Sequence, residues 1–379
     1  MRRIAIIGGR GYPSTYGGYE TLIRHLVPDW TARGLDVTVY CRGRPSKLRA
    51  WSIDGAVCRW TPGVDSKSFS TLSHGFTSQV DASCRPFDAA LVLNIANGFF
   101  LPLLRRRGIG TALNTDGIEW ERGKWGPGAR RIFYAGALAS ARWADVLVAD
   151  SLEIGKLWRH EFGVESTFVP YGAPVLNQVP DNRVKELDLE PGKYALAVAR
   201  LIPENNVDLT LDALELCDGL PAVVVGDANY SSDTVKRLEA LDREGRVKWL
   251  GHVDEPERLD QLWASAGVYV HGHSMGGTNP ALLQALGAGA PTLALDTPFN
   301  REVLEAPEQL YAPDPDLLAS KIRQVIDDET LSGQWRHRGQ RLVAERYDWS
   351  DVSQRYLDAL GDAAERRRAS CLRDRSIAR

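Results

Sequence analysis

The sequence predicts two α/β domains, each a doubly wound parallel sheet covered by helices, joined by a short hinge. Three observations predict this. Short apolar runs alternate with amphipathic stretches along most of the chain, the pattern of parallel strands connected by covering helices. The alternation comes as two series separated by residues 169–180, which hold three prolines and one glycine. The length, 379 residues, exceeds one ordinary core and suits two of roughly 150–200 residues each.

In the first series, residues 4–7 form an apolar run that ends in glycines and reads as a buried strand. Residues 19–33 follow as a helix, because Leu22, Ile23, Leu26, Val27 and Trp30 recur on one helical face. Later strands fall at 37–40, 89–94 and 146–149, the last ending at Asp150-Ser151. The second series gives a strand at 194–199, a helix at 207–216 and a strand at 222–225 that ends in Gly226-Asp227. Strands at 248–250, 268–271 and 292–295 complete it. After Trp349 a last helix sets Val352, Tyr356, Leu357 and Leu360 on one side. The basic, polar segment 366–379 is expected to fray. The expected domains are 1–170 and 171–348, with 349–379 as a terminal helix and tail.

Composition excludes several classes of function. A net charge of −3 gives no global field toward nucleic acid. Five cysteines stand singly, with no CxxC pair, so a disulfide framework and a zinc site are both disfavoured and free thiols in a reducing cytoplasm are expected. Two arginines precede the first apolar run, but that run is too short for a signal peptide, and no stretch nears the roughly 18 apolar residues of a membrane span. Membrane contact is therefore expected to be peripheral.

Four polar segments can carry chemistry. The first strand opens into Gly8-Gly9-Arg10-Gly11-Tyr12-Pro13, and Tyr16-Gly17-Gly18 begins a helix, so backbone amides and a helix N-terminus can meet an anion. A tight turn that binds nothing is the equal alternative. A nicotinamide site is disfavoured, because the spacing is not GxGxxG and the second strand ends in Tyr40-Cys41-Arg42 without an acidic residue. In the second series Arg200 stands at a strand's C-terminal end, where doubly wound sheets bind ligands, and a guanidinium can hold two diphosphate oxygens. The alternative is a surface arginine that caps a loop.

The third segment, residues 271–280, is a polar, glycine-rich loop between a strand and a helix. Gly276, Gly277, Thr278 and Asn279 can offer donors to phosphate and sugar hydroxyls. His271 and His273 form an HxH pair with no third metal ligand near in sequence, so no metal is expected. The fourth segment, Leu113-Asn114-Thr115-Asp116-Gly117-Ile118-Glu119-Trp120-Glu121-Arg122, follows a short strand of the first series and places three carboxylates near aromatic and basic groups. Asp116 can act as a base or accept from sugar hydroxyls, or it can cap the helix that carries Trp120.

Together these segments resemble glycosyltransferase family 4, retaining enzymes of GT-B fold, over nearly the whole chain. The stretches GGRGYPSTYGGYET, NTDGIEWERGKWG, VARLIPENN, HGHSMGGTNPALLQALGAGAP and FNREVL are most similar to its rhamnosyltransferase-like branch, which builds bacterial surface polysaccharides. The resemblance implies two Rossmann-like domains facing a cleft, with a C-terminal helix crossing back to the first. It implies transfer of rhamnose or another hexose, without cofactor or metal, from a dTDP- or UDP-linked donor to a saccharide or lipid-diphosphate-linked acceptor. Gly17 and Gly18 would lie beside the donor phosphates, Arg200 would bind the diphosphate, and Gly276–Asn279 and Glu302 would line the donor pocket. Tyr16, Glu119 and Trp120 would meet the acceptor.

Three departures from the family pattern stand out. Asn205 replaces a lysine five residues after the arginine. Gly276 and Gln284 replace two glutamates eight apart, and a donor with deoxyribose would ask less of Gln284. Thr115-Asp116 replaces a histidine, which makes Asp116 the candidate for that place. A sugar-nucleotide 2-epimerase of the same fold and a non-catalytic sugar-nucleotide binder are the alternatives. Against the epimerase, which needs no second-substrate surface, the aromatic and basic segment 120–125 fits an acceptor surface better.

Overall fold

A computed structural model describes residues 1–13, 17–44, 47–64, 70–121, 125–227 and 233–377, with side chains through 373. The chain divides into two compact units, Met1–Pro170 with Trp349–Arg379, and Tyr171–Asp348.

The first unit is built on eight strands: β1 (Arg3–Ile7), β2 (Asp36–Cys41), β3 (Ala50–Ile53), β4 (Ala56–Trp60), β5 (Ala89–Leu93), β6 (Gly110–Asn114), β7 (Val146–Ala149) and β8 (Thr167–Phe168). Their order is β3-β4-β2-β1-β5-β6-β7-β8. All neighbours are parallel except the β3–β4 hairpin. Every residue of β5, β6 and β7 is buried, as a parallel sheet covered on both faces requires, so these strands read as unbroken apolar runs. The hairpin was passed over because its strands are half-exposed and mix polar with apolar residues. Its signal was the Asp54-Gly55 turn, where both residues take the positive φ of a tight hairpin (51° and 78°).

The C-terminal helix Trp349–Ile377 returns to this unit and buries Val352, Tyr356, Leu360 and Ala363. It corrects the expectation of a frayed tail, since the helix runs through Ile377. Arg367 is 5% exposed and lies 3.8 Å from the buried Asp145 carboxylate, while Arg366 donates to the Asp145 carbonyl at 3.1 Å. The basic side chains are thus used against the first unit. Asp145 also pairs with Arg105 at 2.6 Å, while the neighbouring Arg106 and Arg107 stay exposed.

Trp30, on the helix Gly18–Ala32, is fully buried and its indole N–H donates to Ser353 Oγ at 2.9 Å, tying that helix to the C-terminal one. Trp30→Ala empties a large volume and orphans that bond. It is expected to destabilise the first unit by about 3–5 kcal/mol, read as a shifted midpoint in denaturant.

The second unit has β9 (Ala195–Val198), β10 (Ala222–Val225), β11 (Lys248–Trp249), β12 (Val268–His271), β13 (Thr292–Leu295) and β14 (Leu310–Tyr311), in the order β11-β10-β9-β12-β13-β14 and all parallel. The chain leaves β9 outward through β10 and β11, then returns to β12 on the other side. The strand order therefore reverses between β9 and β12, the crevice where doubly wound sheets take ligands. One core cluster includes Leu211, Val224, Val270 and Ile322, and another includes Tyr194, Leu196, Leu262 and Tyr269. Both faces of the sheet are thus packed. No helix among the described residues is long and apolar enough to cross a membrane.

Candidate active site

The loops that leave β9 and β12 flank the switch point of the second unit and are bound to each other. Ser274 donates through both its amide and its hydroxyl to the Glu204 carbonyl, each at 2.9 Å. Asn206 donates to the Gly272 carbonyl at 2.8 Å. A side chain at Gly272 would place its Cβ 2.5 Å from the Asn205 carbonyl oxygen, so only glycine permits this approach. From the helix Pro298–Leu304 that follows β13, Asn300 donates to the His273 carbonyl at 3.1 Å and to the Leu295 carbonyl at 2.8 Å. Asn300 had been missed; it sits inside the FNREVL stretch, from which only Glu302 was taken.

Arg200 stands exposed just after β9, and its guanidinium forms no ion pair among the described residues. Asn205, the residue in place of a second cation, is 4% exposed and donates its side-chain amide to the Arg200 carbonyl at 2.8 Å. It tethers the backbone that carries Arg200. Opposite, Asn279 caps the helix Pro280–Gly287: its side chain accepts from the Ala281 amide, and its carbonyl accepts from those of Leu282 and Leu283. The first turn of that helix is therefore already satisfied, and amides for an anion must come from the loop at Gly276, Gly277 and Thr278. Gly276 has φ 124° with open space where a Cβ would point, so that loop conformation favours glycine. Gln284, half-buried, lies on the same helix. Glu302 lies on the helix Pro298–Leu304, within electrostatic reach of Tyr347, whose hydroxyl is pushed up to about 12 mainly by burial.

Beside Arg200 lies a stacked pair of histidines. The rings of His271 and His273 are 4.2 Å apart and 10° from parallel. Face-to-face stacking is the arrangement of packed rings, not of two nitrogens turned on one metal ion. His271 is fully buried, with Nδ1 3.0 Å from the Tyr269 hydroxyl. Burial, helped by the Arg200 charge, lowers the His273 pKa to about 3; burial, helped by His273, holds His271 well below 6.5. Both rings are neutral in the fold while an unfolded chain protonates them near pH 6.5, so the unfolded state binds more protons below that value. Their contribution to stability is full above pH 6.5 and is lost as pH falls toward 3. The second unit is expected to lose stability progressively as pH falls below 6.5, seen as a falling midpoint in denaturant from pH 7 to pH 5.

In the first unit, the loop after β1 meets a carboxylate of the chain itself. Glu20, in the first turn of the helix Gly18–Ala32, is 6% exposed and accepts from the Arg10 amide at 2.9 Å. A Cβ on Gly17 would lie 2.8 Å from its Oε2. Gly17 and Gly18 therefore border an acidic group, which disfavours a phosphate at that spot. Tyr16 lies outside the described residues.

Asp116 follows β6, partly exposed, with φ 58°. Its amide donates to Asn114 Oδ1 at 2.9 Å, and Asn114 Nδ2 donates to the Tyr356 hydroxyl at 2.7 Å. The turn is thus capped by Asn114, not by the Asp116 carboxylate. Burial pushes the Tyr356 hydroxyl up, and the charges of Asp150 and Asp116 add to this, so both carboxylates lie near it. Glu119 is 4% exposed and accepts from the Trp125 indole at 2.9 Å. Trp120 packs edge-on against Tyr134, Trp158 and Phe162, with centroids 6.0, 6.2 and 5.7 Å away. Both residues make packing contacts of the first unit.

Residues 178–342 match the family of glycosyl transferases group 1, and residues 94–174 match a domain of unknown function, DUF1972. No curated protein matches the chain. Among solved structures, the chain is similar to sucrose-phosphate synthase from Thermosynechococcus elongatus at 17% identity, over 94% of this chain and 98% of that one, with a TM-score of 0.79. It is similar to HepE from Anabaena in complex with UDP-glucose at 16% identity, over 95% and 99%, with a TM-score of 0.74. Starch synthase IV from Arabidopsis thaliana, bound to ADP and acarbose, follows at 11%, over 96% and 99%, with a TM-score of 0.71. The chain has the GT-B fold, and the family match on the second unit supports a glycosyltransferase of that type.

Proposed function

We propose that the chain is a retaining, metal-independent glycosyltransferase. It moves rhamnose or another hexose from a dTDP- or UDP-linked donor to a saccharide acceptor carried on a lipid diphosphate. This places it in the assembly of a bacterial surface polysaccharide, at the cytoplasmic face of the membrane. The observation that carries the reading is Arg200: a cation without a carboxylate partner among the described residues, standing at the switch point with the glycine loop of β12 across from it. HepE has been solved with UDP-glucose, which supports a donor of the same class.

In this reading Arg200 and the amides of Gly276–Thr278 stabilise the diphosphate as it departs, when negative charge grows on it. The positive charge comes from the chain, so the reaction asks for no metal. Asp116 accepts a hydrogen bond from the acceptor hydroxyl and raises its nucleophilicity. Retention follows when that hydroxyl enters on the face the diphosphate leaves.

The test incubates the protein with dTDP-rhamnose, UDP-glucose, UDP-N-acetylglucosamine and GDP-mannose, with and without a lipid-diphosphate-linked sugar. Acceptor-dependent release of one nucleoside diphosphate, unchanged by EDTA, is the expected result. Donors that bind but stay intact under every condition would leave a sugar-nucleotide binder without transferase activity.

A further inference from the structure

We propose that His273 is a positioning residue for the donor, an uncharged imidazole that donates a hydrogen bond to a phosphate oxygen of the nucleoside diphosphate beside Arg200. The inference rests on the donor site proposed above and adds a residue to it.

The ring is held on several sides. Its face stacks on the fully buried His271, which the Tyr269 hydroxyl holds in turn, and its backbone carbonyl accepts from Asn300. Among the described residues His273 Nδ1 is buried without a hydrogen-bond partner, while the residue as a whole is partly exposed, so Nε2 is the nitrogen that meets solvent. A neutral imidazole carries one N–H. Placed on Nδ1, that hydrogen would be a buried donor without an acceptor; placed on Nε2, it can be satisfied by water or a ligand. His273 thus presents a donor outward, close enough to Arg200 for the guanidinium charge to act on the ring. The same charge, with burial, keeps the ring neutral. A donor N–H beside a cation that forms no ion pair among the described residues fits an acceptor-only anion such as phosphate. A sugar hydroxyl would need an acceptor as well.

The test uses the full chain with UDP and dTDP as probes. In the wild-type protein, the Nε2 nitrogen signal of His273 is expected to shift on addition of the tighter-binding nucleotide while its proton is retained. His273→Ala is expected to weaken that nucleotide about tenfold, the loss of one hydrogen bond to a charged group. His273→Gln, whose amide N–H reaches a similar position, should recover most of it. An unmoved His273 signal at saturating nucleotide, or wild-type affinity in His273→Ala, overturns the inference. If Arg200→Ala alone loses affinity, the donor site stands without His273. If neither variant loses affinity, or the wild-type protein binds neither nucleotide, the donor site falls too.

Discussion

Arg200→Ala is expected to lower kcat/KM by about 100- to 1000-fold while leaving the fold intact. The side chain is exposed and forms no ion pair among the described residues, so its removal breaks no structural contact there. The loop is held from its backbone, by the Asn205 amide on the Arg200 carbonyl and by the bonds from Ser274 and Asn206. What is lost is the cation that meets charge on the leaving diphosphate. A preorganised group of this kind is worth about 3–4 kcal/mol in the transition state. The loss should fall on kcat as well as on KM, because the charge on the departing group exceeds that of the bound donor. Arg200→Lys keeps the charge but not the two-pronged geometry, and should recover part of the rate. A variant with unchanged kcat/KM would remove Arg200 from the chemistry.

Asp116→Asn is expected to lower kcat by about 100-fold or more with little change in donor binding. The turn that presents Asp116 depends on its amide, which donates to Asn114, so an isosteric asparagine retains that conformation. Asparagine also tolerates the positive φ found there. The substitution therefore removes charge and basicity and keeps shape. Steady-state rates against acceptor concentration, together with donor affinity measured separately, check the split. Equal loss of donor affinity and rate would instead make Asp116 part of the donor's binding. A separate change, Asn114→Ala, frees the Asp116 amide and the Tyr356 hydroxyl together and is predicted to destabilise the first unit.

Most of the strands that could be read from the sequence were buried on both faces. Residues 4–7, 146–149, 222–225, 268–271 and 292–295 are short apolar runs, and each is a strand in the structure. The β3–β4 hairpin escaped because one-sided burial leaves a mixed pattern; β8 and β14 are two residues long and carry no period, and of the equally short strands only β11, at 248–250, was read. The terminal helix looked too basic to continue, yet Asp145 makes its arginines useful. Strand order was not legible, and it is what places Arg200 and the β12 loop on one crevice.

Site residues divide in the same way. Arg200 and the glycine loop could be located because strand-to-helix loops announce themselves. Which way a side chain turns could not be read: Asn205 serves the backbone of Arg200, and Trp120 packs among aromatic rings. Glu20 stands three residues after Gly17, a spacing that returns a carboxylate to a helix start, and it could have warned that the first glycine loop already faces an acid.

The central claim is that a nucleoside diphosphate binds where the strand order of the second unit reverses, on Arg200 and the amides of the β12 loop. A crystal structure of the protein with UDP or dTDP tests this most directly. The account predicts diphosphate oxygens within about 3 Å of the Arg200 guanidinium and of the amides at Gly276–Thr278. A nucleotide bound elsewhere, or at that crevice with Arg200 turned away from its phosphates, would contradict it.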